Sequence, residues 1–379
     1  MRMESLPHDV VELILERLPV KSLLRFKAVS KEWRSTIESS FFQERQLVQR
    51  KQSGDPDVLM VPKTPFHAVG PDLMEPLITL VLGSSASVKI PSPLEKTHYL
   101  VCKNTCDGLV CVYQTCEPCL VFNPTTRWHR TLPLYELQKY VIGLGKEWYF
   151  KLSPSFFNLG FGKDKLTGTY KPVCLYNSKE IGRQNATTCE VFDFCTNSWR
   201  YVTPAAPYRI NNHSNPVYVD GSLHWLTECK ETNVLSFDLH KESFQVVSKA
   251  PFADLLPYEM VLCNLDERLC VSALKWPEQV IWSFSSGNKS WEQMYSLDLD
   301  YTYRCHDIPT RLFAPHIYAL MPLALLHGEK EKKKKLLFYD DVLSRKLVIY
   351  DPETKSCDAA YSAEVIGYTV CYFQSLFSI

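Results

Sequence analysis

The sequence carries no net formal charge, because its 42 Lys and Arg residues are matched by 42 Asp and Glu residues. A basic surplus is the electrostatic footprint of nucleic-acid binding, and the chain has neither a basic nor an acidic surplus. The balance therefore predicts no nucleic-acid partner. With 45% hydrophobic and 12% aromatic residues, the composition is that of a folded globular protein.

Long apolar runs are also missing. No run reaches the roughly 18 residues that would indicate a membrane span, so we expect no membrane association. The first residues are charged and lead directly into a helical pattern, so we expect no secretory signal. The 14 cysteines are then expected to be reduced thiols of a cytoplasmic or nuclear protein.

Sequence motifs of catalysis are absent too. The chain contains no G-x-x-x-x-G-K phosphate loop, no G-x-S-x-G nucleophile elbow and no H-E-x-x-H zinc motif. Its 10 histidines are scattered singly. We therefore predict a non-catalytic protein without catalytic residues or cofactors. A hydrolase remains an alternative, because scattered carboxylates can perform acid–base chemistry when folding brings them together in a cleft.

The cysteines between residues 102 and 119 form the sharpest cluster that could bind a metal. Cys116 and Cys119 have the spacing of half a zinc site, and thiolates suit zinc. A second C-x-x-C pair is lacking, and Cys106 and Cys111 flank or lie within a strand, where cysteine acts as a small buried hydrophobe. The prediction is that the chain holds no metal.

The N-terminal 40 residues contain more apolar surface than a small helical unit needs. Read as a helix, Val10 to Leu18 spreads its apolar residues over roughly 200° of the circumference. A second helix follows Pro19, and a third begins near Ser30, a favourable N-cap. So small a unit has little interior, so either the rest of the chain or another protein must cover the excess surface.

The same residues resemble a known module. The motifs that carry the resemblance are Leu6-Pro7, Ile14-Leu15, Leu18-Pro19-Val20-Lys21-Ser22-Leu23-Leu24-Arg25-Phe26 and Val29-Ser30-Lys31-Glu32-Trp33-Arg34. They are similar to the F-box in its plant form. The resemblance implies a three-helix unit that docks on a Skp-type adaptor and, through it, on a cullin. The residues implied to face the adaptor are Leu6, Pro7, Ile14, Leu15, Leu18, Pro19, Leu23 and Trp33, although some of them, Trp33 above all, could be internal core.

From Val58 onward, helical periodicity almost disappears, and short runs rich in Val, Tyr, Phe and Trp alternate with turn residues. Five segments align with one another. Each contains an aromatic residue followed by a turn residue, usually Asp or Asn. A large or apolar residue stands six positions after that turn residue. The aromatics are Phe122, Phe192, Phe237, Phe284 and Tyr350, and the later residues include Trp199, Phe244 and Trp291. Each segment predicts a hairpin in which an Asx side chain starts the turn. We expect Trp199, Phe244 and Trp291 to occupy equivalent, buried places.

The intervals between the five aromatics are 70, 45, 47 and 66 residues. Two of these match the roughly 40–50 residues of a propeller blade, and the longer two leave room for insertions. The fold prediction is an all-α three-helix unit at 1–45, a linker at 46–57 and an all-β propeller-like domain of six or seven blades at 58–379. A sandwich of unrelated hairpins is the alternative.

These repeats resemble a family as well. CDGLVCVY with VFNPTTRWHRTLP, LGFGKDKLTGTYKPV, and VYVDGSLHWLT with LSFDLHKESFQVV are similar to the F-box-associated domain of plant F-box proteins, a kelch-related module. The ending YFQSLFSI also fits. The combined resemblance implies the substrate-recognition subunit of a Skp–cullin–F-box ubiquitin ligase, with the β domain holding a target protein. The alternatives are a propeller hydrolase and an F-box scaffold that transfers no ubiquitin.

Target recognition is expected in the segments that look least like the repeat, because loops vary without disturbing the blades. These are Leu134 to Phe157 and Asp298 to Leu326. Aromatic residues and Arg anchor protein interfaces, so the second segment supplies the predicted target-binding residues Tyr301, Tyr303, Arg304 and Arg311. Alternatively, both segments contribute only blade strands.

Overall fold

The computed structural model describes residues 6–62, 77–80, 87–90, 99–145, 157–211, 214–229, 231–252, 255, 259–299, 320–327, 334–340, 346–362 and 367–379. The chain begins with helices and continues as a β-propeller. This order confirms the predicted architecture of a helical unit followed by a propeller.

Four helices form the N-terminal part, which we call the helical unit (residues 6–53). The first two are each preceded by a proline, Pro7 and Pro19, whose backbone remains extended. Ser30 and Ser39 cap the next two, because their hydroxyls accept from the backbone N–H groups of Trp33 (3.0 Å) and Phe42 (3.2 Å). The helices are α1 (His8–Glu16), α2 (Val20–Phe26), α3 (Lys31–Glu38) and α4 (Ser40–Ser53).

Helix α4 continues through residues 46–53 of the predicted linker at 46–57. Helix α4 keeps this region ordered by burying Leu47 in a cluster with propeller residues and Gln46 against the helical unit. Gln46 donates from its side-chain amide to the carbonyl of Leu18. The two parts of the chain are thus joined by a helix that contacts both of them.

The described residues of the propeller form six four-stranded antiparallel sheets. Blade 1 combines the two ends of the domain, because the last strand pairs with the first one over six residue pairs. The other five blades each use four consecutive strands. In chain order the strands are β1 (Asp57–Pro62), β2 (Leu77–Leu80), β3 (Ser87–Ile90), β4 (Leu100–Val101), β5 (Val110–Tyr113), β6 (Leu120–Phe122), β7 (His129–Thr131), β8 (Phe157–Lys163), β9 (Tyr170–Asn177), β10 (Thr187–Asp193), β11 (Ser198–Val202), β12 (Val217–Val219), β13 (Ser222–Leu226), β14 (Asn233–Asp238), β15 (Ser243–Lys249), β16 (Met260–Leu265), β17 (Arg268–Lys275), β18 (Glu278–Ser285), β19 (Ser290–Asp298), β20 (Met321–Leu326), β21 (Lys335–Tyr339), β22 (Lys346–Asp351), β23 (Ser356–Ser362) and β24 (Gly367–Tyr372).

The sheets close into a ring. Strands β24, β4, β8, β12, β16 and β20 lie innermost, and most of them contact the innermost strand of a neighbouring blade. A separate cluster of buried apolar residues fills each of the six interfaces between adjacent blades. Because every blade is packed on both faces, the inner strands are runs of apolar residues with little alternation between apolar and polar positions.

The predicted repeat is the hairpin of the third and fourth strands. Phe192 pairs with Trp199, Phe237 with Phe244 and Phe284 with Trp291 in the same register. The equivalence of Trp199, Phe244 and Trp291 is therefore confirmed. Their expected full burial is wrong, since all three are only half-buried. They lie on the outermost strand of each blade, which pairs with another strand on one side only.

The described part of the propeller also contains an α-helix that the sequence did not predict. Helix α5 (Glu136–Gly143) lies between blades 2 and 3, in the first of the two segments predicted to recognise targets. Its first N–H groups donate to the buried Glu190 carboxylate of β10, at 2.8 Å from Glu136 N and 3.2 Å from Leu137 N. A carboxylate at this position satisfies the unpaired donors and complements the helix dipole.

Candidate partner-binding surfaces

Helix α1 carries apolar residues on two faces. Val11, Leu15 and Leu18, one turn apart, pack in the interior of the helical unit. On the other side, Val10, Leu13 and Ile14 are 40%, 49% and 49% exposed, and Leu6 just before the helix is 61% exposed. The excess apolar surface that the sequence indicated is therefore not covered by the rest of the described chain.

The eight residues implied to face an adaptor divide into three groups. Leu6, Pro7, Ile14 and Pro19 are exposed, and Leu18 and Trp33 are half-buried. Leu15 and Leu23 are buried in the core of the helical unit, which is the alternative that the sequence left open for some of the eight. Trp33 also packs inward, edge-on against Phe26 with ring centroids 5.5 Å apart.

Sequence reasoning left Val10 and Leu13 out of this set. Both share a face with Ile14 at the i, i+3, i+4 spacing that places side chains together on a helix. That spacing can be seen in the sequence. The sequence alone does not decide which of the two apolar faces of α1 points into the helical unit.

The C-terminal segment, residues 373–379, joins the helical unit to the propeller. Its Leu376 lies in the core of the helical unit, whereas Phe377 belongs to the cluster between blades 2 and 3. Asn123, at the turn after β6, is fully buried and donates to the backbone carbonyls of Ser375 (3.1 Å) and Phe377 (3.0 Å). The segment therefore holds the two parts of the chain in a fixed relation.

Helix α4 adds contacts at the same junction. The Arg50 guanidinium lies 5.8 Å from the ring centroid of Phe373 and donates to the carbonyl of Asp55 at 3.1 Å. Gln374 donates to the buried Asp57 carboxylate at 2.7 Å. Burial raises the pKa of Asp57, and the Gln374 hydrogen bond and the charge of Arg50 oppose that rise.

A cavity of about 530 Å³ opens on the propeller axis beside α4. Its lining includes the turns between first and second strands, which carry Asp107, Asp220, Asp266 and Glu267. Each of these carboxylates contacts a cation already. The pairs are Lys163–Asp107 (2.9 Å), Lys51–Glu267 (3.4 Å), Lys165–Asp220, and Lys334 and His327 (3.4 Å) with Asp266. The four carboxylates of this cavity are thus each paired within the protein.

The Lys163–Asp107 pair has a further hydrogen-bond partner. Tyr170 donates its hydroxyl to Asp107 at 2.8 Å, beside the Lys163 ammonium. Burial and the neighbouring Asp107 carboxylate raise the pKa of Tyr170, so the phenol stays protonated as a donor. The arrangement orders the cavity wall.

Other predicted sites have different outcomes. Tyr301, Tyr303, Arg304 and Arg311 lie outside the described residues. Cys119 is buried and Cys116 half-buried, and both are free thiols. In the part of the chain that the structure describes, no group of three His, Cys, Asp or Glu side chains is placed to hold a metal ion. None of the described helices is long and apolar enough to cross a membrane.

Fold and surfaces together define a class of protein: a helical unit with an uncovered apolar face, joined to a β-propeller by α4 and residues 373–379. Comparison with known families assigns both parts. An F-box domain matches residues 3–44, and an F-box associated beta propeller domain matches residues 72–379. The chain therefore belongs to the plant F-box proteins with an F-box-associated propeller.

Similar proteins come from Arabidopsis thaliana. An F-box/LRR-repeat/kelch-repeat protein is 60% identical over 100% of this chain and 97% of its own length. Two F-box proteins are 49% and 50% identical, over 100% and 99% of this chain and 100% and 85% of their own lengths. This membership confirms the resemblance that the sequence motifs indicated.

Proposed function

We propose that this chain is the substrate receptor of a Skp–cullin–F-box ubiquitin ligase in the cytoplasm or nucleus. The F-box binds a Skp-type adaptor, which links the chain to a cullin, and the propeller binds a target protein. The chain itself makes and breaks no bonds. Ubiquitin transfer is favoured because the target is held close to the conjugating enzyme, which raises its effective concentration.

The observation that carries the proposal is the distribution of exposed apolar side chains. Among the described residues, 13 large apolar side chains are exposed, and seven of them lie between residues 6 and 48, in about a seventh of the described chain. Contiguous exposed apolar surface on a soluble domain marks an interaction site. Leu6, Val10, Leu13 and Ile14 form its centre, and Pro7 and Pro19 are exposed beside α1 and α2.

The test replaces the centre of this surface by charge. We expect the double variant Leu13→Asp, Ile14→Asp to weaken adaptor binding by at least about a hundredfold. The adaptor would bury both side chains, and burying each one contributes about 1.5–3 kcal/mol to the binding free energy. Val246→Asp is the matched control, since Val246 is 46% exposed on β15 of the propeller. Adaptor affinity is measured by titration calorimetry, and folding by circular dichroism. Unchanged affinity in the folded double variant would contradict the proposal.

The target protein is proposed to bind to the propeller. Tyr301, Tyr303, Arg304 and Arg311 remain proposed target-binding residues, supported by their residue types and by their position in a segment that does not repeat. The contacts of residues 373–379 with both the helical unit and the propeller support a receptor role as well. If the two parts moved freely relative to each other, the target would be held at no fixed distance from the conjugating enzyme.

A further inference from the structure

The two ends of the propeller differ in what they carry. In a four-stranded antiparallel blade, the turns after the first and third strands lie at one end, and the connections after the second and fourth lie at the other. Helix α4 is at the first end, because Lys51 contacts Glu267 in the β16–β17 turn and His327 after β20 donates its N–H to Asp55. We call the opposite end the distal end.

Blade 3 has a groove of about 440 Å³ at the distal end. One side is the connection from β9 to β10, and the other is the end of β11 with the residues that follow it. Tyr201 is 43% exposed at its edge, and Pro204 and Pro207 line its wall. Thr187 and Thr188 on its floor are bonded within the protein, to the Ala206 carbonyl and the Ser178 hydroxyl.

Among the described residues, Arg183 is the only charged one that lines this groove. Its guanidinium lies 5.6 Å from the ring centroid of Tyr201 and 3.4 Å from the Tyr201 hydroxyl oxygen. Neither Arg183 nor the exposed Lys179 beside it forms an ion pair within the described residues. The groove is therefore cationic, with an aromatic ring that presents Arg183 in a defined position.

The Glu190 carboxylate forms no ion pair with Arg183. It lies beneath the surface and accepts from the two N–H donors of α5 and from the Tyr176 hydroxyl at 3.2 Å. Burial raises the pKa of Glu190, and these hydrogen bonds oppose the rise. The acid thus fixes α5 beside the groove and leaves the guanidinium of Arg183 facing the outside.

We propose that this groove binds an extended acidic segment of the target protein, an inference that rests on the proposed receptor function. A carboxylate of the segment pairs with Arg183, and a neighbouring apolar side chain packs against Tyr201 and the two prolines. Arg and exposed Tyr are the residue types that carry most binding energy in interfaces. Because the groove lies at the distal end, it remains open when the adaptor occupies the F-box.

The probe is a phage-displayed library of random peptides, selected on the full chain in complex with its adaptor. The expected result is enrichment of Asp and Glu next to an apolar residue. A selected peptide is then synthesised with its acids intact and with Asn and Gln in their place. We expect the amide version to bind at least about tenfold more weakly, as loss of a charge-assisted contact implies.

Variants of the chain locate the site. Arg183→Gln and Tyr201→Ala should each weaken the acidic peptide by about tenfold or more, and the control Lys241→Gln, an exposed lysine in the β14–β15 turn, should not. Selection without acidic enrichment, or equal peptide affinity in wild type and Arg183→Gln, overturns the inference. Adaptor binding is measured on the same proteins, so a failure of the receptor function appears as lost adaptor affinity and not as lost peptide affinity.

Discussion

Gly108 and Gly221 occupy the same kind of turn, between the first and second strands of blades 2 and 4. Both follow an aspartate and have positive φ angles, +78° and +80°. Their surroundings differ. A Cβ on Gly108 would lie 2.5 Å from the Phe373 carbonyl oxygen and the Ser375 hydroxyl, whereas a Cβ on Gly221 meets only the flexible Lys165 side chain at 3.5 Å. The C-terminal segment thus lies directly on Gly108.

This contrast gives a prediction for two alanine variants. The positive φ costs each of them about 1–2 kcal/mol. Gly108→Ala should lose about 1–3 kcal/mol more, because the methyl group forces residues 373–375 away from the turn. Urea denaturation of both variants provides the measurement. Equal losses would show that the C-terminal segment is not held at this position.

At the scale of elements, the hairpin of the third and fourth strands was predictable from the sequence. Its Asx turn and its aromatic pair lie within ten residues, so local chemistry decides the structure. Asp193, Asp238 and Asp351 each accept two backbone N–H groups in their turns. Helix α5 was not predictable, because the group that satisfies its N-terminus is Glu190, more than 50 residues further along the chain.

The same hairpin supports a prediction on burial, using two phenylalanines of blade 4. Phe237 and Phe244 face each other with ring centroids 4.6 Å apart, yet Phe237 is fully buried and Phe244 half-buried. We expect Phe237→Ala to cost about 3–5 kcal/mol and Phe244→Ala about half as much. Thermal and chemical unfolding of the two variants tests this. A larger loss for Phe244→Ala would contradict the inner and outer positions of the two strands.

At the scale of the whole molecule, both chain termini contribute to one junction. Blade 1 takes β24 from the C-terminus, and residues 373–379 continue from it into the helical unit. The repeat intervals predicted the ring of blades. They did not predict that β24 pairs with β1 to close it, because that pairing joins residues more than 300 positions apart. The adaptor-facing residues were predictable only as a set. Their division into surface and core depends on how α1 packs against α3 and α4.

The two proposed partners lie at different places on this assembly. The apolar face of α1 belongs to the F-box, and the Arg183 groove belongs to the distal end of blade 3. The C-terminal segment and α4 fix the relation between the F-box and the propeller. Adaptor and target are therefore expected to bind together without competing.

Hydrogen–deuterium exchange of the full chain with and without a Skp-type adaptor tests whether the F-box is the adaptor site. We expect slower amide exchange in peptides covering residues 6–18, because the adaptor covers the exposed face of α1 and suppresses its local opening. Peptides from the distal end of blade 3, including residues 178–189 and 198–207, should exchange at unchanged rates. Protection of those propeller peptides with none at residues 6–18 would contradict the assignment of the F-box as the adaptor site.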